Sequence, residues 1–143
     1  MQRVFIDTNV LLDVLCKRPQ FMEDGFRLID LAIDGRLELM ISDLSIANIR
    51  YITRKELAKA KFYEVMKSFC SVLTVVPVGA EAVDSALALE ADDFEDALQY
   101  FAAKRAGADC LLTRNMKHYT FASIEVSTPH DFLKKYFFDD LDN

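Results

Sequence analysis

With only four glycines and three prolines in 143 residues, no stretch of the chain reads as a long linker or a low-complexity tract. A chain of this length fits one domain, 1–138, followed by an acidic tail, 139–143, expected to fray. No apolar run approaches the roughly 18–20 residues of a membrane span, and the amino terminus lacks a basic-then-apolar signal peptide. A cytoplasmic protein with no membrane partner is the expectation. Cys16, Cys70 and Cys110 are odd in number, far apart and set among apolar residues, which suits reduced buried thiols and not a disulfide framework. Two histidines cannot build a His-rich zinc site, no Gly-rich phosphate loop occurs, and no Ser-His-Asp order is evident. Carboxylates are the main chemical resource that remains.

The net charge of -6 argues against broad nonspecific attraction to nucleic acid. Charge is spread unevenly, however. Residues 50–67 carry Arg50, Arg54, Lys55, Lys59, Lys61 and Lys67 against Glu56 and Glu64, while residues 81–96 hold seven acids and no basic residue. A basic arm beside an acidic pocket suits a polyanion held near a bound metal; solvated helix faces of opposite sign are the plainer alternative.

Hydrophobic residues make up 52% of the chain, and their spacing alternates between two patterns. Val4–Ile6, Leu37–Ile41, Leu73–Val78, Cys110–Leu112 and, more weakly, Ile124–Val126 are short apolar runs of the kind buried on both faces of a parallel sheet. Between them, 8–16, 20–34, 43–49, 56–70, 81–89, 94–106 and the segment after Pro129 carry apolar residues at helical spacing, with Gly35 and Gly107 as stops. Strands separated by helices imply an α/β fold: a three-layer αβα sandwich around a mainly parallel sheet of about five strands.

In such a sheet the ligand crevice lies beyond the carboxyl ends of the strands. Three of the expected strands end there in polar groups: Asp7 with Asn9, Ser42 with Asp43, and Thr113 with Asn115. A fourth contribution is the helix start Asp93-Phe94-Glu95-Asp96. Asp7 and Asp93 each also fit a simple helix-capping role, so both readings stay open. Asp7 brought close to Asp96 without a cation would raise at least one carboxylate pKa. A hard divalent ion, Mg2+ or Mn2+, removes that cost and suits oxygen ligands. Asp7 and Asp96 are therefore the expected metal-binding and catalytic acids, with Asp93 and Glu95 secondary; Arg50, Arg54, Lys55, Lys59 and Arg114 are the candidate groups for binding a polyanion.

Phe5-Ile6-Asp7-Thr8-Asn9, Ile41-Ser42, Asp93-Phe94-Glu95-Asp96-Ala97-Leu98 and Leu112-Thr113-Arg114-Asn115, in that order over nearly the whole chain, resemble PIN domains, the metal-dependent nuclease fold that includes VapC-type toxins. Leu44-Ser45-Ile46-Ala47-Asn48-Ile49 is similar to one bacterial PIN subgroup. The resemblance implies that Asp7 and Asp96 bind metal, that Asn9 and Ser42 order the site, and that Thr113 and Asn115 support the metal or substrate side. It further implies a metal-dependent endoribonuclease acting on RNA, the toxin of a pair with a cognate antitoxin, and a homodimer. Two positions depart from the pattern. Asn48 stands where the family usually has a Glu, and His118 where it usually has an acid, so a weakened module that binds RNA or protein is the alternative. A phosphatase of the haloacid dehalogenase type would need a second Asp two residues after the first; here that residue is Asn9.

Overall fold

The computed structural model describes residues 1–141. Its five strands, β1 (Gln2–Ile6), β2 (Leu37–Ser42), β3 (Thr74–Val76), β4 (Cys110–Leu112) and β5 (Glu125–Ser127), form one sheet in the order β3-β2-β1-β4-β5. Every pairing is parallel. Parallel neighbours cannot be joined by a hairpin, so each connection crosses a face of the sheet and helices cover both faces. The crossovers are α1 (Thr8–Leu15) and α2 (Met22–Ile33), α3 (Asp43–Thr53) and α4 (Lys59–Cys70), and α5 (Gly79–Leu89) and α6 (Phe94–Arg105). A short 3-10 turn, Met116–Tyr119, precedes β5, and α7 (Pro129–Tyr136) and α8 (Phe138–Leu141) close the described chain. The α/β three-layer architecture is as the strand and helix pattern implies.

Side chains alternate strictly across the sheet, as a strand period of two requires. Val4 and Ile6 of β1, Leu39 and Ile41 of β2 and Leu112 of β4 join a core layer with Leu11, Leu28, Phe62 and Phe132 from the helices on that face. The intervening Phe5, Met40 and Leu111 point the other way, onto Tyr100 and Ala103 of α6 and onto Tyr119. Burial on both faces explains why these strands read as continuous apolar runs. Helix α2 lies tightly on α1 because Gly25 has no side chain; a Cβ there would collide with Val14.

Boundaries differ from the sequence reading in places. Strand β3 is shorter than Leu73–Val78, ending at Val76 before Pro77, which has no amide hydrogen to continue a ladder. The 3-10 turn has no sequence counterpart, since four residues give no repeat to detect. Of the expected acidic tail, residues 139–141 belong to α8, and Asp142 and Asn143 lie outside the described residues. Among the described residues, no helix is long and apolar enough to cross a membrane. Cys16, Cys70 and Cys110 are free thiols; Cys110 alone is fully buried.

Phe5 is fully buried between sheet and α6. Phe5→Ala is expected to cost about 3–5 kcal/mol of stability, read as a lowered urea midpoint at unchanged slope.

Candidate functional site

Helix α1 begins where β1 ends, and Asp7 stands at that junction, 5% exposed. Its Oδ1 accepts the Thr8 backbone N–H at 2.7 Å, so the residue caps α1. Its Oδ2 accepts the Thr113 hydroxyl at 2.9 Å and the Tyr119 hydroxyl at 3.1 Å. The capping role holds, and the second carboxylate oxygen is left to face Thr113 and Tyr119.

Tyr119 is the link. Its hydroxyl also lies 3.2 Å from Asp96 Oδ1, so one phenol oxygen connects two acids separated by most of the chain. A phenol carries one proton, and the two carboxylates cannot both receive it at once. One residue earlier, His118 Nδ1 sits 2.8 Å from Asp96 Oδ2. The acid expected from the family pattern at this position is thus replaced by a nitrogen ligand that directly contacts Asp96.

The start of α6 delivers the remaining acids. Asp93 caps the helix, accepting the Asp96 backbone N–H at 3.0 Å. Glu95 accepts the Asn48 side-chain amide at 2.9 Å, joining α3 to α6. Asn48 therefore adds no charge of its own and orients a neighbouring carboxylate instead. Ligand atoms of Asp93, Asp96 and His118 all lie within 4.8 Å of one another, a spacing a single metal ion can bridge.

Behind the acids lies an uncharged buried network. Ser42 caps α3 through the Ser45 backbone N–H at 3.0 Å and donates to Gln99 Oε1 at 2.7 Å. Gln99 Nε2 donates to Ser45 Oγ at 2.9 Å, and the Ser45 and Thr8 hydroxyls are 2.7 Å apart. Ser42 is fully buried, so it does not line the open pocket; it acts through the helices it ties together. Asn9 makes long contacts, 3.4 Å to Thr113 Oγ1 and 3.5 Å from the Arg114 backbone N–H, and braces the turn after β4. Asn115 contributes its backbone N–H to Thr113 Oγ1 at 3.0 Å, while the residue itself is exposed. Asp43, another acid near this edge, is occupied by the Val78 backbone N–H at 3.2 Å.

The basic candidates separate into two groups. Arg50 donates to the Leu57 carbonyl at 3.2 Å and lies over the Phe62 ring, which commits it to the α3–α4 connection. Arg54 stacks on Tyr51, and Lys55 and Lys59 are exposed. Arg54 lies six residues beyond Asn48, about 9 Å along α3 from the side chain that meets Glu95 among the acids. Arg114 adjoins them and pairs with the buried Asp13 at 2.8 Å.

The site is strained electrostatically. Burial raises the pKa of Asp7, and the Asp96 charge adds to that, against the lowering effect of Thr113, Tyr119 and the Thr8 amide. Asp96 is raised by burial first, with His118 and Tyr119 opposing. Glu95 is raised first by partial desolvation and then by the charges of Asp7, Asp93 and Asp96. Burial and the charges of Asp7 and Asp96 also push the Tyr119 phenol up, so it stays a donor. Oxygen donors crowded past what hydrogen bonds neutralise fit a divalent cation.

Residues 3–117 match the model of the PIN domain. The chain belongs to the PIN domain family. Ribonuclease VapC1 of Aquifex aeolicus (strain VF5) is 29% identical over 140 residues, covering 94% of this chain and 96% of that protein. The DNA-bound VapBC structure from Salmonella typhimurium shares the fold at a TM-score of 0.69 and 19% identity, over 90% of this chain and 99% of that one. VapBC2 from Rickettsia felis, bound to a DNA fragment from their promoter, superposes at a TM-score of 0.68 and 19% identity, over 89% and 98%. At that identity the two structures speak for the fold of this PIN domain.

Tyr119 and Gln99 escaped the sequence reading. Gln99 was detectable in principle, since it lies three residues after Asp96 on the same helix face. Tyr119 carried no local signal.

A raised Asp7 pKa means that the metal-free native state binds its proton more tightly than the unfolded chain does. Its stability relative to an uncharged variant is therefore lost as pH rises from the ordinary value of 3.8 through the raised native value. Melting in EDTA is expected to show Asp7→Asn gaining on wild type as the pH rises above about 4, at roughly 2–4 °C for each kcal/mol recovered. A difference that shrinks over that range would contradict it.

Proposed function

We propose that this PIN domain is a Mg2+- or Mn2+-dependent endoribonuclease that hydrolyses RNA phosphodiester bonds, as the toxin of a VapBC-type toxin–antitoxin pair. The observation that carries this reading is the joining of Asp7 and Asp96 through one Tyr119 hydroxyl, beyond the carboxyl ends of a parallel sheet. Asp7 and Asp96 would hold the ion, with Asp93, Glu95 and His118 as further ligands. Bound there, it would supply Lewis acidity toward the phosphodiester and toward water.

The chain's own residues do the rest. Thr113 and Tyr119 fix the Asp7 carboxylate from one side and the α1 amide fixes it from another, so its orientation does not depend on the ion. Asn48 turns Glu95 toward the acids, and Gln99 with Ser42, Ser45 and Thr8 keeps the three helix starts in register. The antitoxin and a homodimer belong to the same proposal. Exposed Tyr51 and Ile52 on α3 and Leu87 on α5 offer apolar surface to such partners.

A second reading, an RNA- or protein-binding module with weakened chemistry, is favoured by the uncharged Asn48. It predicts salt-sensitive RNA binding without metal-dependent cleavage.

Two measurements decide between them. Mn2+ at about 100 times its dissociation constant should stabilise wild type by roughly 2.7 kcal/mol, and Asp96→Asn by much less. A fluorescent RNA should be cut in Mn2+ at a rate at least about 100-fold above that of Asp7→Asn or Asp96→Asn, since outer partners of a metal site alone are worth 10–100-fold. RNA that survives wild type as well as it survives the variants would end the nuclease reading.

A further inference from the structure

Two cavities differ in charge, one lined by an acid of the site and the other by the turn residues that follow Thr113. One, about 550 Å³, is lined by Asp93, His118, Glu90, Asp92 and Lys117. The other, about 470 Å³, is lined by Arg114, Asn115, Asp13, Phe21, Asp24 and His130. In the second, the acids are already partnered. Asp13 is buried and takes Arg18 at 3.1 Å and Arg114 at 2.8 Å, and Asp24 lies 3.5 Å from His130.

Arg114 is held between Asp13 and an aromatic ring: its guanidinium carbon is 4.5 Å from the Phe21 centroid. Phe21 is 36% exposed. A fixed guanidinium plane beside an open phenyl ring is the kind of surface on which unstacked RNA bases settle. Gln20, Asn115 and Thr128 add groups able to hydrogen-bond a base edge. The volume lies in the range of small-ligand sites.

We propose that this second cavity receives a nucleobase of the RNA strand, next to the phosphate presented to Asp7 and Asp96. The proposal rests on the nuclease reading and adds where the strand runs. Position supports it: Asp13 lies about 9 Å along α1 from Asp7, and the turn that walls the cavity also holds Asp7 through Thr113. Charge supports it too, because Glu90, Asp92 and Asp93 outnumber Lys117 around the first cavity, whereas in the second Asp13 is ion-paired with Arg114 and Asp24 faces His130. The cavity thus selects the base beside the cut.

Titration of the metal-free protein with each nucleoside 5'-monophosphate, followed by amide NMR, tests it without any catalysis. Shifts are expected at Phe21, Arg114, Asn115 and Thr128. Phe21→Leu keeps an apolar side chain and loses the ring, and should weaken nucleotide binding roughly ten-fold or more. The same variant should raise the KM for RNA or change the base preferred beside the cut, while its Mn2+-induced melting shift stays that of wild type. His130→Ala, at an exposed position, serves as a second variant should Phe21→Leu fold poorly, and should shift the base preference. Shifts that fall elsewhere, or wild-type KM and base preference in a folded variant, would overturn the proposal. So would nucleotides that leave the spectrum unchanged while a purified partner protein protects these amides. A wild type that binds nucleotides here but never cleaves RNA would sink the nuclease reading and leave the base site standing.

Discussion

The proton of the Tyr119 hydroxyl has two carboxylates to serve, Asp7 at 3.1 Å and Asp96 at 3.2 Å, and that shortage organises the molecule around it. Each neighbouring contact reduces the resulting repulsion. The Thr8 amide and Thr113 hydroxyl act on Asp7, and His118 acts on Asp96. The first turn of α6 adds the favourable end of a helix dipole beneath Asp93, Glu95 and Asp96. These partners leave the acids with raised pKa values, so the fold supports an arrangement that its own hydrogen bonds do not fully neutralise.

A separate device keeps the acids from moving apart. Gln99, Ser42, Ser45 and Thr8 form a buried network without charge, in which each side chain finds a partner. Neutral satisfied groups cost far less to bury than ions do. The network spans α1, α3 and α6, the three helices that bring Asp7, Asn48 and Asp96 to the rim. Rigidity and charge are thus assigned to different residues, one layer apart.

The departures from the family pattern find local explanations in the same geometry. Asn48, standing where an acid is usual, is paired with Glu95, whose carboxyl feels the Asp7 charge. His118 puts a nitrogen on Asp96 where an oxygen is usual. Together these changes remove negative charge from α3 and from the turn before β5 and introduce a softer donor. Of the outer basic groups, Arg50 is committed to the Leu57 carbonyl and the Phe62 ring, while Lys55 and Lys59 stay exposed.

Much of this was legible before any coordinates. Alternating apolar runs and helical stripes defined the five strands and their crossovers, and polar residues after β1, β2 and β4 marked the edge where the acids gather. These signals are local, because a strand buried on both faces and a helix with one apolar face each write their period into consecutive residues. The sequence by itself determined the α/β class, the parallel sheet and the rim on which Asp7 and Asp96 stand. Tertiary structure alone decided that Tyr119 joins them, that Ser42 is buried behind them and that Arg114 lies against Phe21. Those contacts link residues far apart in the chain, through a 3-10 turn too short to have a period, and no pattern of neighbours along a sequence records them.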